Sequence, residues 1–149
     1  YQTLWQQVSS KQILEELITF FQSHTAARDR IIHFPEDLPL MTTRTDITLV
    51  RRVLSNMVIN ALEATEPQEP VRVTMESGGD KMIWCVWNRQ FIPDSLARRI
   101  FQRNYSTKTG DGRGLGTFSM KLFGEKILGG QVTFTTDEDS GTTFRFTLP

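Results

Sequence analysis

The sequence is poor in the residues that build disulfides and transition-metal centres. Its 149 residues include one cysteine, Cys85, and two histidines, His24 and His33. A single cysteine excludes an internal disulfide, and so few histidines give no support to a zinc site or a hydrolase triad. Cys85 lies in the apolar run 82–87, where the expected role is that of a buried strand residue.

Charge of one sign and long apolar runs are also lacking. Seventeen lysines and arginines are balanced by 17 aspartates and glutamates, so no overall field favours nucleic acid or an anionic membrane as the main partner. No stretch has the length of a membrane-spanning helix, and no secretory leader opens the chain. We expect a cytoplasmic domain, and the missing initiator Met indicates a fragment whose parent can still be anchored in a membrane.

Hydrophobic periodicity predicts one domain of the α+β class over residues 1–149. Helices are expected at 10–27, 46–65, 93–101 and 115–128. Strands are expected at 30–34, 40–44, 71–77, 81–88, 132–136 and 142–148. Because the strands come largely as hairpins between helices, we expect a two-layer α/β sandwich with a mixed, mostly antiparallel sheet. The polar segment 102–113 is expected to be a mobile loop.

The second predicted helix carries polar side chains on one side. Its apolar positions form a stripe made of Ile47, Val50, Leu54, Met57 and Ala61. Asn56, Asn60 and Glu63 recur at steps of four and three on the other side. An amide oxygen is a suitable ligand for Mg²⁺, which takes few protein groups beside phosphate. A solvated helix face has the same pattern, so these residues alone do not decide between the two interpretations.

A glycine-rich segment precedes the last predicted helix. Its glycines, at 112, 114 and 116, let backbone N–H groups approach phosphate oxygens. Ser106 and Thr107 supply hydroxyl donors, and Lys108 supplies a positive charge. The segment is neither a P-loop nor a dinucleotide fingerprint, because no Gly-Lys-Ser/Thr follows and the glycine spacing differs. Taken alone, it is either a phosphate site or a flexible turn with a glycine cap.

The order of these segments resembles that of the catalytic, ATP-binding domain of sensor histidine kinases, in the ATPase superfamily that they share with type II topoisomerases and MutL. Residues 46–61 resemble the N box, Ile100-Phe101 the F box, Ser106-Thr107-Lys108 the ATP lid, 112–116 the second glycine box and 141–144 the closing strand signature. Residues 8–34 are similar to the segment that joins the dimerisation helices to this domain. The resemblance covers nearly the whole chain.

The resemblance implies the Bergerat fold, with ATP between the N-box helix and the lid. It makes Asn60 the Mg²⁺ ligand, Asn56 a neighbouring polar contact and Lys108 a phosphate contact, and these three are the implied catalytic residues. The other implied nucleotide contacts are Ala64, Asn88, Gln90, Ile92, Phe101, Ser106, Thr107, Gly112, Arg113, Gly114, Leu115 and Gly116. Superfamily hydrolases carry a glutamate base where Asn56 stands. Because an amide cannot take a proton from water, Asn56 favours phosphoryl transfer to a histidine.

The first glycine box departs from the family pattern. Asp-x-Gly-x-Gly is usual, and its aspartate accepts a hydrogen bond from the exocyclic amine of adenine, whereas residues 88–93 read Asn-Arg-Gln-Phe-Ile-Pro. Asn88 keeps an acceptor oxygen but loses the charge, which weakens that contact by about 1 kcal/mol. Phe91 either crowds or covers the adenine side. This departure leaves a degenerate nucleotide sensor, or pseudokinase, as an alternative.

The partners follow from the same resemblance. Neither His24 nor His33 has the His-Glu/Asp-x-x-x-Pro context of a phosphoacceptor, so the acceptor histidine is expected on an upstream dimerisation domain of the same or a partner protomer. A response regulator is the expected downstream partner, and ATP and Mg²⁺ are the implied cofactors. A third interpretation is an ATP-hydrolysing member of the superfamily that uses Glu63 or another acidic residue at a shifted position as its base.

Overall fold

The structure, a computed structural model, describes residues 2–102 and 115–149. Its strands are β1 (Gln6–Ser9), β2 (Ile32–His33), β3 (Thr42–Thr45), β4 (Val71–Gly78), β5 (Lys81–Asn88), β6 (Gln131–Asp137) and β7 (Gly141–Leu148). Its α-helices are α1 (Ser10–Gln22), α2 (Ile47–Ala64), α3 (Asp94–Ala97) and α4 (Leu115–Lys121). A 3₁₀ turn spans Thr25–Ala27, and a π-helical segment, Leu122–Ile127, continues α4.

Five strands form the main sheet, in the order β2-β4-β5-β7-β6. Only β2 and β4 run parallel, and the other neighbours are antiparallel. Alternate residues of the central strands are buried, among them Val73, Trp84 and Phe146, because successive side chains of a strand point to opposite faces. The expected mixed, mostly antiparallel sheet is confirmed.

Helix α2 lies on the buried face of this sheet, with α1 and α4 packed beside it. Asp46 caps its first turn, since Oδ1 accepts from the Leu49 backbone N–H at 3.1 Å. The buried surface of α2 is wider than the predicted stripe and also includes Val53, Val58 and Leu62. The reason is that the sheet, α1 and α4 all pack against the helix, from different sides. Helices therefore form one layer and the sheet the other, which confirms the two-layer sandwich.

The first helix ends earlier than the predicted residue 27. It stops at Gln22, and His24 then caps the 3₁₀ turn, its Nδ1 accepting from the Ala26 backbone N–H at 3.1 Å. A side chain that bonds nearby backbone offers the chain an alternative to continued helix. The His24 ring also stacks on Phe20, with the ring centroids 4.8 Å apart.

The sequence predicts an α-helix over 115–128, but only the first part of this segment is α-helical. From Leu122 to Ile127 the backbone is π-helical, and the Leu128 N–H donates to the Phe123 carbonyl at 3.0 Å. A Cβ on Gly124 would lie 2.7 Å from Val132 Cγ2, so this turn lies very close to the sheet. The wider turn is typical of a local insertion in an α-helix.

Two further elements differ from the prediction. Strand β1 was not expected, because it is short; it pairs antiparallel with β3, from Gln6 opposite Thr45 to Ser9 opposite Thr42. The predicted helix at 93–101 is one α-turn, Asp94–Ala97, followed by turns in which Arg99 N–H donates to the Leu96 carbonyl. Pro93 provides no side-chain cap there. In the described ranges, no helix combines the length and apolar character needed to cross a bilayer.

Candidate functional site

A cavity of about 280 Å³ opens between the end of α2, the segment after β5, and β7. This volume is close to the lower limit of about 300 Å³ for small-molecule sites. Its lining residues are Asn60, Glu63, Ala64, Asn88, Gln90, Phe91, Ile92, Pro93, Leu96, Ile100, Thr142 and Phe144. Apolar walls with a few polar groups are the usual composition of a site for a heterocyclic ligand.

Helix α2 contributes the polar rim of this cavity. Asn60 and Ala64 lie one turn apart on the helix, with Glu63 between them, and all three line the cavity. Asn60 is half-buried, whereas Glu63 and Ala64 are exposed. The arrangement brings an amide oxygen and a carboxylate to the same rim, while buried Leu54 and Met57 hold the preceding turns of the helix in the core.

The segment after β5 is fixed to the β6–β7 hairpin by two hydroxyl groups. Thr142 Oγ1 donates to the Gln90 carbonyl at 2.7 Å, and the Ile92 N–H donates to Thr136 Oγ1 at 2.8 Å. The two hydroxyl oxygens are also 2.8 Å apart, within hydrogen-bond distance. These bonds hold residues 90–92 against the sheet and shape one wall of the cavity.

Gly141 allows this segment to come so close. Its φ of +80° belongs to the left-handed region, and a Cβ there would lie 2.3 Å from the Asn88 carbonyl oxygen. Only glycine combines that backbone conformation with that approach. The glycine of the predicted closing strand signature therefore has a physical role in positioning Asn88.

A polar network lies beside the cavity. Asn88 is 4% exposed, and its Nδ2 donates to Gln90 Oε1 at 3.2 Å. Gln90 Nε2 donates in turn to Glu69 Oε1 at 2.6 Å. Arg89 Nε lies 4.0 Å from the other oxygen of Glu69. Two neutral amides thus stand in the segment where the family pattern has an aspartate and two glycines, and the Glu69 carboxylate contacts one of them from a distant position in the chain.

An aromatic cluster supports the cavity from behind. Phe144 lines it, and the Phe144 ring stacks on Phe134 with centroids 5.2 Å apart. Phe101 packs edge-on against both rings, at 5.7 Å from Phe134 and 6.1 Å from Phe144. Lys121 Nζ lies 4.9 Å from the Phe101 ring centroid. Phe101 therefore touches the wall of the cavity through Phe144.

The structure brings together five of the residues expected to contact nucleotide: Asn60, Ala64, Asn88, Gln90 and Ile92. Asn56 is half-buried one turn earlier on α2, and neither Asn56 nor Phe101 belongs to the described lining of the cavity. Leu115 and Gly116 begin α4, at the predicted residue. The remaining expected contacts lie outside the described residues: Ser106, Thr107, Lys108, Gly112, Arg113 and Gly114.

Several residues that shape the cavity are not among the expected nucleotide contacts. Phe91, which the sequence places at the adenine side, lines the rim and is 42% exposed. Ile100 of the predicted F box and Leu96 also line the cavity, and both follow Pro93 with helix-like apolar spacing. Glu69 and Thr136 reach the site from distant positions along the chain, and no local pattern marks them.

The remaining polar candidates are structural residues. His24 caps a turn and His33 lies exposed on β2. Cys85 is buried in β5, and burial, reinforced by the nearby Glu76 carboxylate, raises the pKa of its thiol. A thiol whose ionised form is disfavoured is a poor nucleophile at neutral pH. These placements agree with the roles expected from the sequence.

Within residues 2–102 and 115–149, no group of three or more His, Cys, Asp or Glu side chains can hold a metal ion. Mg²⁺ does not require such a group, because it prefers oxygen ligands, keeps waters and shares its coordination with phosphate. Asn60 and Glu63 supply an amide oxygen and a carboxylate at the rim of the cavity. The donor set therefore fits Mg²⁺ that arrives with a phosphate ligand.

Comparison with known proteins identifies the class. Residues 45–149 match the family described as "Histidine kinase-, DNA gyrase B-, and HSP90-like ATPase". The chain belongs to this family. It is 32% identical over 146 residues to the sensor protein VanS of Enterococcus faecium, an alignment that covers 93% of this chain and 35% of the relative. The chain thus spans about a third of the length of that relative.

Solved structures agree with this assignment. The catalytic domain of histidine kinase ThkA superposes with a TM-score of 0.82 at 27% identity, covering 98% of this chain and 95% of that one. Histidine kinase ThkA in complex with response regulator protein TrrA superposes with a TM-score of 0.75 at 25% identity, covering 99% of this chain and 42% of that one. The resemblance to histidine kinase catalytic domains, drawn from the motifs alone, is confirmed.

Proposed function

We propose that this chain is the catalytic, ATP-binding domain of a sensor histidine kinase, which transfers the γ-phosphoryl group of Mg-ATP to a histidine of a dimerisation domain in two-component signalling. The observation that carries the proposal is the cavity that unites Asn60 of the N-box helix with Asn88 of the altered glycine box. Family membership supports a reaction that uses ATP, and the cavity offers a place for the nucleotide.

We assign the adenine base to the part of the cavity that Asn88 and the neighbouring apolar side chains line. Asn88 offers an acceptor oxygen, while Ile92, Ala64 and Phe144 offer apolar surface to the faces of a heterocycle. A flat aromatic ligand gains most of its binding energy from such surface and its orientation from one or two polar contacts. The triphosphate would then extend towards the polar rim formed by α2.

We assign Mg²⁺ and the triphosphate to the rim of the cavity that α2 forms. We propose Asn60 as the protein ligand of Mg²⁺ and Asn56 as a neighbouring polar contact, with Lys108 at the β- and γ-phosphates. Mg²⁺ supplies charge neutralisation on the transferring phosphoryl group. Asn56 stands where hydrolases of the superfamily carry their base, and a neutral acceptor imidazole needs none because it already has a free lone pair. Positioning and electrostatics then carry most of the catalysis.

The proposal also includes two protein partners, a domain that carries the acceptor histidine and a response regulator. His24 Nδ1 already accepts a hydrogen bond from Ala26, and neither histidine of this chain has a phosphoacceptor context. We therefore assign the acceptor histidine to a dimerisation domain outside the chain and the next transfer to a response regulator, as the ThkA–TrrA complex exemplifies for ThkA. The cytoplasm is the proposed location, because ATP and response regulators are found there.

The test is phosphohistidine formation in the full-length protein that contains this chain. Incubation with γ-labelled Mg-ATP should give an acid-labile, alkali-stable phosphoprotein, and Asn60→Ala should abolish it. Gln131→Ala is the matched control, because it removes an exposed amide at the opposite end of β6 from the cavity. Mg-ATP binding without any phosphohistidine would contradict the kinase assignment and favour a nucleotide-sensing pseudokinase.

A second candidate, ATP hydrolysis, is favoured by one observation. Glu63 lines the cavity next to Asn60, so a carboxylate is present near the proposed metal. If Glu63 acts as a general base, the domain releases phosphate steadily and Glu63→Gln abolishes the release. The kinase proposal predicts instead that Glu63→Gln still forms phosphohistidine, because the transfer needs no general base.

A further inference from the structure

A directed chain of hydrogen bonds ends at the cavity. The Glu66 backbone N–H donates to Glu69 Oε1 at 3.2 Å, and Gln90 Nε2 donates to the same oxygen at 2.6 Å. Asn88 Nδ2 then donates to Gln90 Oε1 at 3.2 Å. Each hydrogen bond has a fixed donor and a fixed acceptor, so this series of hydrogen bonds has one direction, or polarity, from end to end.

The polarity is set at Glu69. A backbone N–H can only donate, so the oxygen that receives it is an acceptor, as both oxygens of an ionised carboxylate are. Gln90 must therefore turn its NH₂ group to Glu69 and its carbonyl to Asn88. Asn88 must in turn present its own NH₂ group to Gln90. The atom of the Asn88 amide that is left for a ligand is Oδ1.

Burial makes this polarity costly to reverse. Asn88 is 4% exposed and Gln90 is half-buried, so water cannot readily replace a lost partner. If either amide flipped, two oxygens or two NH₂ groups would face each other across the distance now spanned by a hydrogen bond. A buried polar group without a partner is more destabilising than the net gain from making the bond.

We infer that Glu69 and Gln90 are positioning residues that hold Asn88 Oδ1 towards the cavity and thereby select a purine with an amino group at position 6 over one with a keto group. An adenine amine donates to Oδ1, whereas the keto oxygen of hypoxanthine would oppose it as a second acceptor. The inference rests on the proposed nucleotide site and adds the source of its base specificity.

The same polarity explains why an asparagine stands at position 88. An aspartate has no donor for Gln90 Oε1, and if Gln90 turned round to donate to that aspartate, its oxygen would face Glu69. In this chain the neutral amide fits its two neighbours, and its oxygen still offers the acceptor that the resemblance assigns to an aspartate. Asn88→Asp should accordingly fail to tighten ATP binding, although it adds the negative charge usual in the family.

The experiment compares ATP with inosine triphosphate, which carries a keto group at position 6 and shares the sugar and the triphosphate. Dissociation constants are measured by calorimetry for the chain and its variants. We expect the chain to prefer ATP, and Glu69→Ala and Gln90→Ala to reduce that preference by about tenfold, because the Asn88 amide can then turn. Glu69→Gln should retain the preference, because its amide oxygen can still accept from Glu66 and Gln90.

The ratio of the two constants separates specificity from structural damage. If a substitution only loosens the cavity, it weakens the binding of both nucleotides equally and leaves the ratio of their dissociation constants unchanged. That result would overturn the inference, while the proposed function would stand. Equal changes in Glu69→Ala and in the control Glu76→Ala, an exposed glutamate of β4, would overturn it as well. Failure of the unaltered chain to bind either nucleotide would overturn the proposed function together with this inference.

Discussion

At the scale of single residues, Asn60 connects the core of the domain to the proposed metal site. It lies on the same helix as fully buried Leu54 and Met57, yet its half-buried amide lines the cavity. The packing of its neighbours fixes the position of the amide, and its own side chain contributes little to that packing. Ligand binding and folding can therefore be separated by substitution at this position.

Replacing Asn60 with alanine should remove Mg²⁺-dependent nucleotide binding and leave the fold intact. We expect the free energy of unfolding to change by less than about 0.5 kcal/mol, the range for substitutions away from core packing. The increase in melting temperature that Mg-nucleotide gives the unaltered chain should be lost. Gln131→Ala should retain that increase, and an Asn60→Ala variant that also retains it would remove Asn60 from the metal site.

At the scale of elements, the β6–β7 hairpin holds the segment after β5 in place, and we call this set of contacts the clamp. Gly141 begins β7 beneath the Asn88 carbonyl, and Thr136 and Thr142 hold residues 90–92 by hydrogen bonds. The hairpin thus determines where the wall of the cavity lies. A change in its backbone should alter stability and ligand binding together.

Gly141→Ala tests this clamp. The new Cβ meets a backbone oxygen and sits at a positive φ, so we expect a loss of at least about 2 kcal/mol in stability together with weaker nucleotide binding. Gly79→Ala is the matched control, because Gly79 has a φ of +68° but nothing within 4 Å of its Cβ position. It should cost about 1 kcal/mol without affecting affinity. Equal effects of both changes on affinity would contradict the clamp.

Helix α2 is the element on which both layers depend. Leu54 is fully buried, on a helix that contacts the sheet as well as α1 and α4. Leu54→Ala should lower the free energy of unfolding by about 2–5 kcal/mol, the range for large-to-small core substitutions. Urea denaturation measures this loss, and Arg52→Ala on the exposed side of the same helix should lose much less. A Leu54→Ala variant of unchanged stability would mean that α2 is not packed as described.

At the scale of the whole molecule, the sequence predicts the layers and the order of the main elements. The strands of the β4–β5 and β6–β7 hairpins and helix α2 have strong periodicity and turn residues, so their positions follow from local pattern. The end of α1, by contrast, depends on His24 capping a turn, and the π-helical segment depends on Gly124 meeting Val132 across the fold. Hydrophobic periodicity carries no signal for either of these contacts, because neither a capping side chain nor the close approach of a glycine alters the apolar pattern.

The candidate site likewise contains residues that the sequence predicts and one that only the structure reveals. Asn60, Asn88 and Gln90 were predicted because the motif order is specific. Glu69 was not, since it meets Gln90 across 21 positions of sequence and lies between two prolines in a loop. The motif order thus selects residues that line the cavity, and the folded arrangement is needed to find Glu69, which bonds to one of them.

In the proposed function, this domain holds a nucleotide together with Mg²⁺ between α2 and the segment after β5. The most direct test is a calorimetric titration of the chain with a non-hydrolysable ATP analogue, with and without Mg²⁺. We predict saturable binding of one nucleotide per chain in the micromolar range, weakened when Mg²⁺ is omitted and again when Asn60 is replaced by alanine. Absence of binding, or binding indifferent to both Mg²⁺ and Asn60, would contradict it.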